Sequence, residues 1–265
     1  MDKSTLIGIV LAIIGIGVGM FLKGVSPTVV VTNPAAILII LAGTAAAVVI
    51  AFPMSEIKKV PKLFGIVFKE QKLMPASDLI KMFSDWAQLA RKEGLLALEV
   101  KTNEIEDDFL KNGLSLAVDG QSADYIRDVL TEEIDAMEER HQSGALIFSQ
   151  AGTYAPTLGV LGAVVGLIAA LSNMADTDAL GHAISAAFVA TLLGIFTGYV
   201  LWHPFSNKLK RKSKAEAKIK HMMIEGILSI LEGEAPRVIE QKLASYLPAG
   251  ERKKFLEEGE VKKDE

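Results

Sequence analysis

Residues 153–171, TYAPTLGVLGAVVGLIAAL, carry no charge and are long enough to cross a bilayer as a helix. They also hold Pro156, Gly159, Gly162 and Gly166. In a water-soluble helix such residues are costly: Gly loses ~1 kcal/mol and Pro ~3 kcal/mol against Ala. In lipid they are tolerated, because packed neighbours satisfy the freed backbone groups. The Gly162-xxx-Gly166 spacing lets a second helix approach closely. The segment therefore reads as a packed, partner-facing transmembrane helix, and the rest of the chain must accommodate it.

Half of the 265 residues are hydrophobic, yet 23% are charged, and the mean hydropathy is +0.34. That combination requires segregation, and four apolar blocks do alternate with charged ones. The absence of cysteine excludes disulfides and thiolate metal sites. The histidines at 141, 182, 203 and 221 have no metal-binding spacing. With a net charge of -4 and no aromatic–basic interleaving, nothing points to nucleic acid. No nucleophile–base pair or metal constellation points to an enzyme.

The reading is all-α: a polytopic membrane protein with four transmembrane helices and a cytoplasmic helical insert. Residues 1–52 hold the first two spans, at about 4–22 and 33–52. The first contains Gly15 and Gly19 in GxxxG spacing. A secretory signal peptide fits it poorly, since Asp2 precedes it and a second span follows at once. Residues 53–143 form the helical insert. Ser77-Asp78 is placed as a helix cap, Asn112-Gly113 as a break, and 124–140 as an acidic amphipathic helix with Ile126, Val129, Leu130, Ile134 and Met137 inward. Residues 144–203 hold spans three and four, at about 150–172 and 182–203, joined by a loop at 173–181. Gly194 and Gly198 repeat the GxxxG spacing in span four. Residues 204–265 form a cytoplasmic C-terminal helix, around 221–231, and a tail whose charged end, ERKKFLEEGEVKKDE, is expected to be disordered.

Five basic residues follow span two (Lys58, Lys59, Lys62, Lys69, Lys72) and five follow span four (Lys208, Lys210, Arg211, Lys212, Lys214). The other two loops carry only Lys23. The positive-inside rule then places both termini and the insert in the cytoplasm of a multi-pass cell-membrane protein.

The apolar blocks contain hydroxyls, among them Thr44, Thr157, Thr191 and Thr197, but no Asp, Glu, Lys or Arg. Intramembrane carboxylates are the usual proton stations, so if the chain conducts ions a partner helix must bring the acid. The alternative is that these hydroxyls bond only to their own backbone.

The stretches APTLGVLGAVVGL at 155–167, ISAAFVATLLGIFTGY at 184–199 followed by Pro204, ARKEGLLALE at 90–99 and ILEGEAPRVIEQKLASYLP at 230–248 together resemble the MotA family of flagellar stator subunits, within the wider MotA/TolQ/ExbB proton channels, and most of all its Bacillus-type members. The resemblance implies a homo-oligomer, a pentamer around a MotB dimer. MotB would supply a single span bearing the ion-binding aspartate, and the complex would couple proton flow to torque on the rotor protein FliG. It implies no cofactor, H+ being the transported ion, and Ala163 favours the proton over sodium. It assigns Pro156, Thr157, Thr191 and Pro204 to the ion path and coupling, and Arg91, Glu99 and, less directly, Glu133 to FliG contact. Arg91 and Glu99, eight residues apart, are expected on one broad helix face. The bland reading of these charges is a solvated face, and of the prolines a helix kink. An ExbB/TolQ-like energiser of another envelope system, or a non-conducting scaffold, are the alternatives. The former typically has three spans and lacks ARKEGLLALE.

Overall fold

The structure, a computed structural model, describes residues 2–30, 32–102, 104–172 and 177–261, and every regular element among them is helical. The first span is α1 (Lys3–Leu22), started by Asp2, whose side chain accepts from the Thr5 amide. A 3₁₀ turn (Pro27–Val30) leads to α2 (Pro34–Ala51). Asn33 starts α2, accepting from the Ala36 amide, while its amide nitrogen donates to the Ala186 carbonyl at 3.0 Å. One side chain thus caps one span and ties it to another. Ala36, Ile40, Thr44 and Val48 form the buried stripe of α2, four residues apart as a helix face requires.

The short helices α3 (Met54–Ile57) and α4 (Val60–Phe68) follow. Then come α5 (Ala76–Glu93), a 3₁₀ turn (Leu95–Leu98), α6 (Glu99–Thr102) and α7 (Asp108–Val118). Two long helices dominate the rest. The first is α8 (Ala123–Leu171), with Pro156 inside it. The second starts as α9 (Thr177–Phe196), passes through a π-helical stretch (Thr197–Trp202) and continues as α10 (His203–Leu231). The shorter α11 (Pro236–Ala244) and α12 (Ala249–Val261) end the chain. Among the described residues, four helices are long and apolar enough to cross a membrane.

Two compact units emerge, one of Met1–Gln71 and Arg140–Lys212, the other of Lys72–Glu139 and Ser213–Glu265. In the first, Phe64 of α4, Phe148 of α8, Trp202 and Phe205 form a cluster of edge-on and stacked rings, with centroids 5.0 to 6.3 Å apart. Aromatic pairs in such geometries add ~0.5–1.5 kcal/mol beyond area burial. This cluster draws α4 into the unit that holds the spans, and Ile57 of α3 joins it against Val48, Ile147 and Ala151, although by composition both short helices belong with the insert. The second unit has a helical core built on Phe83 of α5, Leu114 of α7, Ile126, Leu130 and Ile134 of α8, and Ile227 of α10, all fully buried.

Several local expectations are corrected. Asn112-Gly113 does not break a helix: α7 runs through it. A Cβ at Gly113 would lie 2.6 Å from Ile227 Cδ1 and 2.8 Å from a Leu130 methyl, so glycine serves core packing there. Ser77-Asp78 is not a cap, since α5 starts at Ala76 after Pro75. The 173–181 loop is shorter than expected: α9 begins at Thr177, and residues 173–176 lie outside the described ones. The charged tail is helical through Val261, and 262–265 lie outside the described residues. Its Lys and Glu are good helix formers, and Lys253 pairs with Glu257 one turn on. Finally, 124–140 and 221–231 are not separate helices but the ends of α8 and α10.

Candidate functional site: the seam between spans three and four

The two spans run antiparallel along a seam of small residues. Going up α8, Gly152, Gly159, Gly162 and Gly166 meet, going down the opposite helix, His203 and Gly198, Gly194, Ala190 and Ala187. Backbone meets backbone between Gly159 and Gly194. A Cβ on Gly194 would lie 2.7 Å from the Ala155 carbonyl oxygen and 2.9 Å from Gly159 Cα. These are backbone atoms, which no rotamer change can move aside. Gly162 and Gly166 face the same partner at ordinary distances, their Cβ positions 3.5 Å and 3.8 Å from the methyls of Ala190 and Ala187. The GxxxG of span three therefore lies on the seam but not at its tightest point. Gly152 and Gly159 were not assigned to packing from the sequence, although small residues extending the Gly162-xxx-Gly166 pattern backwards would have signalled them.

Pro156 sits where the seam meets the π-helical stretch. Proline has no amide proton, so the Gly152 carbonyl loses its helical partner. Gly198 approaches that carbonyl, and a Cβ there would be 2.7 Å from Gly152 O and 2.8 Å from Pro156 Cγ. A Cα–H group can lie against the free oxygen. In the π-helical stretch the ladder widens, and the His203 amide donates to Gly198 O, five residues back. Such stretches recur at functional sites in helices. Pro204 follows directly, exposed within the first turn of α10.

The hydroxyls bond mainly to their own backbone. Thr157, exposed, donates to Tyr154 O at 2.7 Å, and Thr197, buried, to Leu193 O at 2.8 Å. Thr191, half-buried, reaches Ala187 O at a longer 3.3 Å. An oxygen whose proton is so used still accepts through its lone pairs. Thr44 Oγ1 is buried without a partner among the described residues. Groups of three or more His, Asp or Glu able to hold a metal are absent among the described residues.

Arg91, Glu99 and Glu133 are all exposed. Arg91 and Glu99 do not share a helix face. Gly94, at φ +87°, ends α5 between them, and Glu99 opens α6 beyond the 3₁₀ turn. Neither enters an ion pair among the described residues. Between them Leu96 is 70% exposed, and Val100 just beyond is 67% exposed. The feature is an exposed turn with an apolar crest flanked by opposite charges. Glu133 lies on α8, a different element.

A second polar cluster was not anticipated. Lys208 Nζ lies 2.7 Å from Asp2 Oδ1 and donates to Ser4 Oγ at 2.6 Å. Lys212 Nζ lies 3.5 Å from Asp2 Oδ2 and donates to the carbonyls of Ile66 and Lys69. The Lys208 hydrogen bond, helped by the Ser4 hydroxyl and the Thr5 amide, holds the Asp2 carboxyl well below the usual range against the opposing pull of burial. Its sequence signal is weak, because its members lie at opposite ends of the unit's chain segments.

Known proteins share this architecture. Residues 101–222 match the MotA/TolQ/ExbB proton channel family, and 6–94 match the motility protein A N-terminal family. The chain is 70% identical over 265 residues to Motility protein A of Bacillus subtilis, covering 100% of this chain and 98% of that one. It is 35% identical over 259 residues to the chemotaxis protein PomA of Vibrio alginolyticus, covering 97% and 100%. A chain in the solved flagellar MotAB stator complex of Bacillus subtilis superposes with a TM-score of 0.91 at 71% identity, over 96% of this chain and 99% of that one. Sequence, spans and seam together make this chain a member of the MotA/TolQ/ExbB proton channel family, in its motility protein A branch.

Proposed function

We propose that this chain forms the uncharged wall of a proton path in a flagellar stator, with MotB as the partner that donates the titrating acid. The observation that carries the proposal is that the four apolar blocks, at about 4–22, 33–52, 150–172 and 182–203, lack Asp, Glu, Lys and Arg, while Thr191 offers an acceptor beside the seam. A partner carboxyl, once protonated, can donate to Thr191 Oγ1 with no loss of the existing backbone bond. On losing its proton it becomes an anion that the apolar wall rejects. One charge crossing the membrane releases ~2.3 kcal/mol per 100 mV, several times thermal energy. The transported ion is H+, supported by the family's description and by Ala163, which supplies no oxygen that a dehydrated sodium ion would want.

The similarity to a subunit of solved MotAB stators supports MotB as partner, and a ring of five such chains around two MotB helices is the assembly we propose. The basic residues after spans two and four orient both termini and the charged insert toward the cytoplasm. There the exposed Arg91–Glu99 turn would meet FliG, with Pro156 and Pro204 carrying the movement. Deleting the gene should abolish swimming in soft agar, and Thr191→Val should slow it while the complex still assembles in the membrane. Swimming that survives the deletion would overturn the stator reading. Arg91→Glu should lower torque with proton flux kept, and a fall in flux instead would overturn the rotor contact.

A further inference from the structure

Helix α1 has no buried residue along its whole length. At its charged end a cavity of about 400 Å³ opens between it and the helix of span four. Ser4, Thr5, Gly8 and Ile9 line one side, and Val200, Pro204 and Lys208 line the other. The two ends of this wedge differ in chemistry. Ser4 and Lys208 stand at the polar end, joined at 2.6 Å. One helical turn further on, Gly8 and Ile9 face apolar surface. A Cβ on Gly8 would meet nothing within 4 Å, so the wall is open there.

The electrostatics at the polar end favour an anion. Asp2 brings one negative charge, and Lys208 and Lys212 bring two positive ones, leaving a net +1. Lys212 spends its protons on Asp2 and two carbonyls. Lys208, bonded to Asp2 and Ser4, has a third N–H left. The exposed Lys210 and Arg211 add to the positive field. Between membrane spans such a wedge cannot stay empty without losing dispersion contacts on every wall. A molecule with a phosphate at one end and a hydrocarbon chain at the other matches both ends. Basic pockets between spans on the cytoplasmic side are the usual seats of anionic headgroups.

We propose that this wedge binds one anionic phospholipid, its phosphate on the third N–H of Lys208 and one acyl chain along Gly8, Ile9 and Val200. The inference rests on the membrane-spanning reading above. Because the wedge includes Pro204, the lipid would touch the helix at the end of span four and fill the space α1 leaves open.

The test uses the intact complex with MotB, isolated from membranes and reconstituted in nanodiscs of phosphatidylglycerol or phosphatidylcholine, with native mass spectrometry counting retained lipid. Phosphatidylglycerol should be retained about five- to tenfold over phosphatidylcholine. Lys208→Gln should erase that preference. Gly8→Leu fills the chain slot with Lys208 and Asp2 intact, and should lower retention of both lipids. Retention unchanged in Gly8→Leu, or no headgroup preference in the wild type, would overturn the site. The chain has no cysteine, so Gly8→Cys adds a single thiol. Its disulfide crosslinking to a second copy carrying Val200→Cys would show protein in the wedge and overturn the lipid. Recovery of the complex from the soluble fraction would instead defeat the membrane reading, whatever the lipid count.

Discussion

Two glycine-to-alanine substitutions, equal in chemistry and on the same seam, should have opposite effects. At Gly194 the added Cβ meets the Ala155 carbonyl oxygen at 2.7 Å and Gly159 Cα at 2.9 Å. Restoring an ordinary contact requires the helices to part by about 0.7 Å, a gap that forfeits a quarter or more of the dispersion energy of each facing pair. Overpacking of this kind costs ~1–3 kcal/mol, and the upper half applies because the obstacle is backbone. The better helix propensity of alanine returns ~1 kcal/mol, leaving a net loss of about 1–2 kcal/mol per chain. At Gly166 the Cβ lands 3.8 Å from the Ala187 methyl. Nothing must move, a contact is gained, and the propensity term of ~1 kcal/mol stands unopposed. The two variants should therefore differ by about 2–3 kcal/mol. At ~2–4 °C per kcal/mol for a chain of this size, melting of the purified stator complex should separate them by roughly 5–10 °C. Gly194→Ala should fall below wild type, and Gly166→Ala should equal or exceed it. If both fall equally, or Gly166→Ala falls further, the seam is not tighter at Gly194 than at Gly166 and the packing argument fails.

Asp2→Asn should cost about 1–2 kcal/mol at neutral pH, since hydrogen bonds to charged groups are the strong ones. The folded carboxyl titrates below its unfolded value of about 3.9. Its contribution is complete above that value and is lost as pH falls from there through the folded pKa, so the variant should lack this part of the acid sensitivity in a melting-versus-pH series. Gly226→Ala should destabilise the other unit by about 1–3 kcal/mol, because its Cβ would lie 2.6 Å from three atoms of the fully buried Phe83 ring. Circular dichroism melts check it, and a neutral outcome would mean the ring has room to move. Deleting Val200, inside the π-helical stretch, should let that turn close to α-helix with the register beyond it kept. Deleting Leu192, in regular helix, should shift everything beyond by about 100°. Membrane assembly should survive the first far better than the second, and equal loss would deny the stretch its extra residue.

The spans were legible because lipid imposes length and apolarity on every residue, a constraint that needs no knowledge of neighbours. The seam was half legible. A GxxxG pair announces close packing, but which glycine lies tightest depends on where Pro156 and the π-helical stretch set the partner, and neither offset is local. Gly113 shows the same limit. Beside Asn112 it carries a turn signal, yet Leu130 and Ile227, far along the chain, decide its place. Asp2 and Lys208 are 206 positions apart, and no periodicity could pair them. The tail was misjudged for another reason: few apolar residues argue against a core, not against a helix.

Between Arg91 and Glu99 a helix ends, and this bears on the proposed rotor contact. Eight-residue spacing alone implies one helix, but Gly94 after Arg91-Lys92-Glu93 carries the usual marks of a helix end. Once the chain turns at Gly94, the two charges are set by the end of α5, the 3₁₀ turn and α6, with Leu96 and Val100 exposed between and beside them. A helix face would present charges at fixed intervals to a partner sliding past. A turn presents them around an apolar knob, so desolvation of Leu96 adds to the electrostatic attraction, and salt screens only the latter. On that geometry, loss of Leu96 should weaken the grip at every ionic strength, whereas loss of Arg91 should matter less as salt rises.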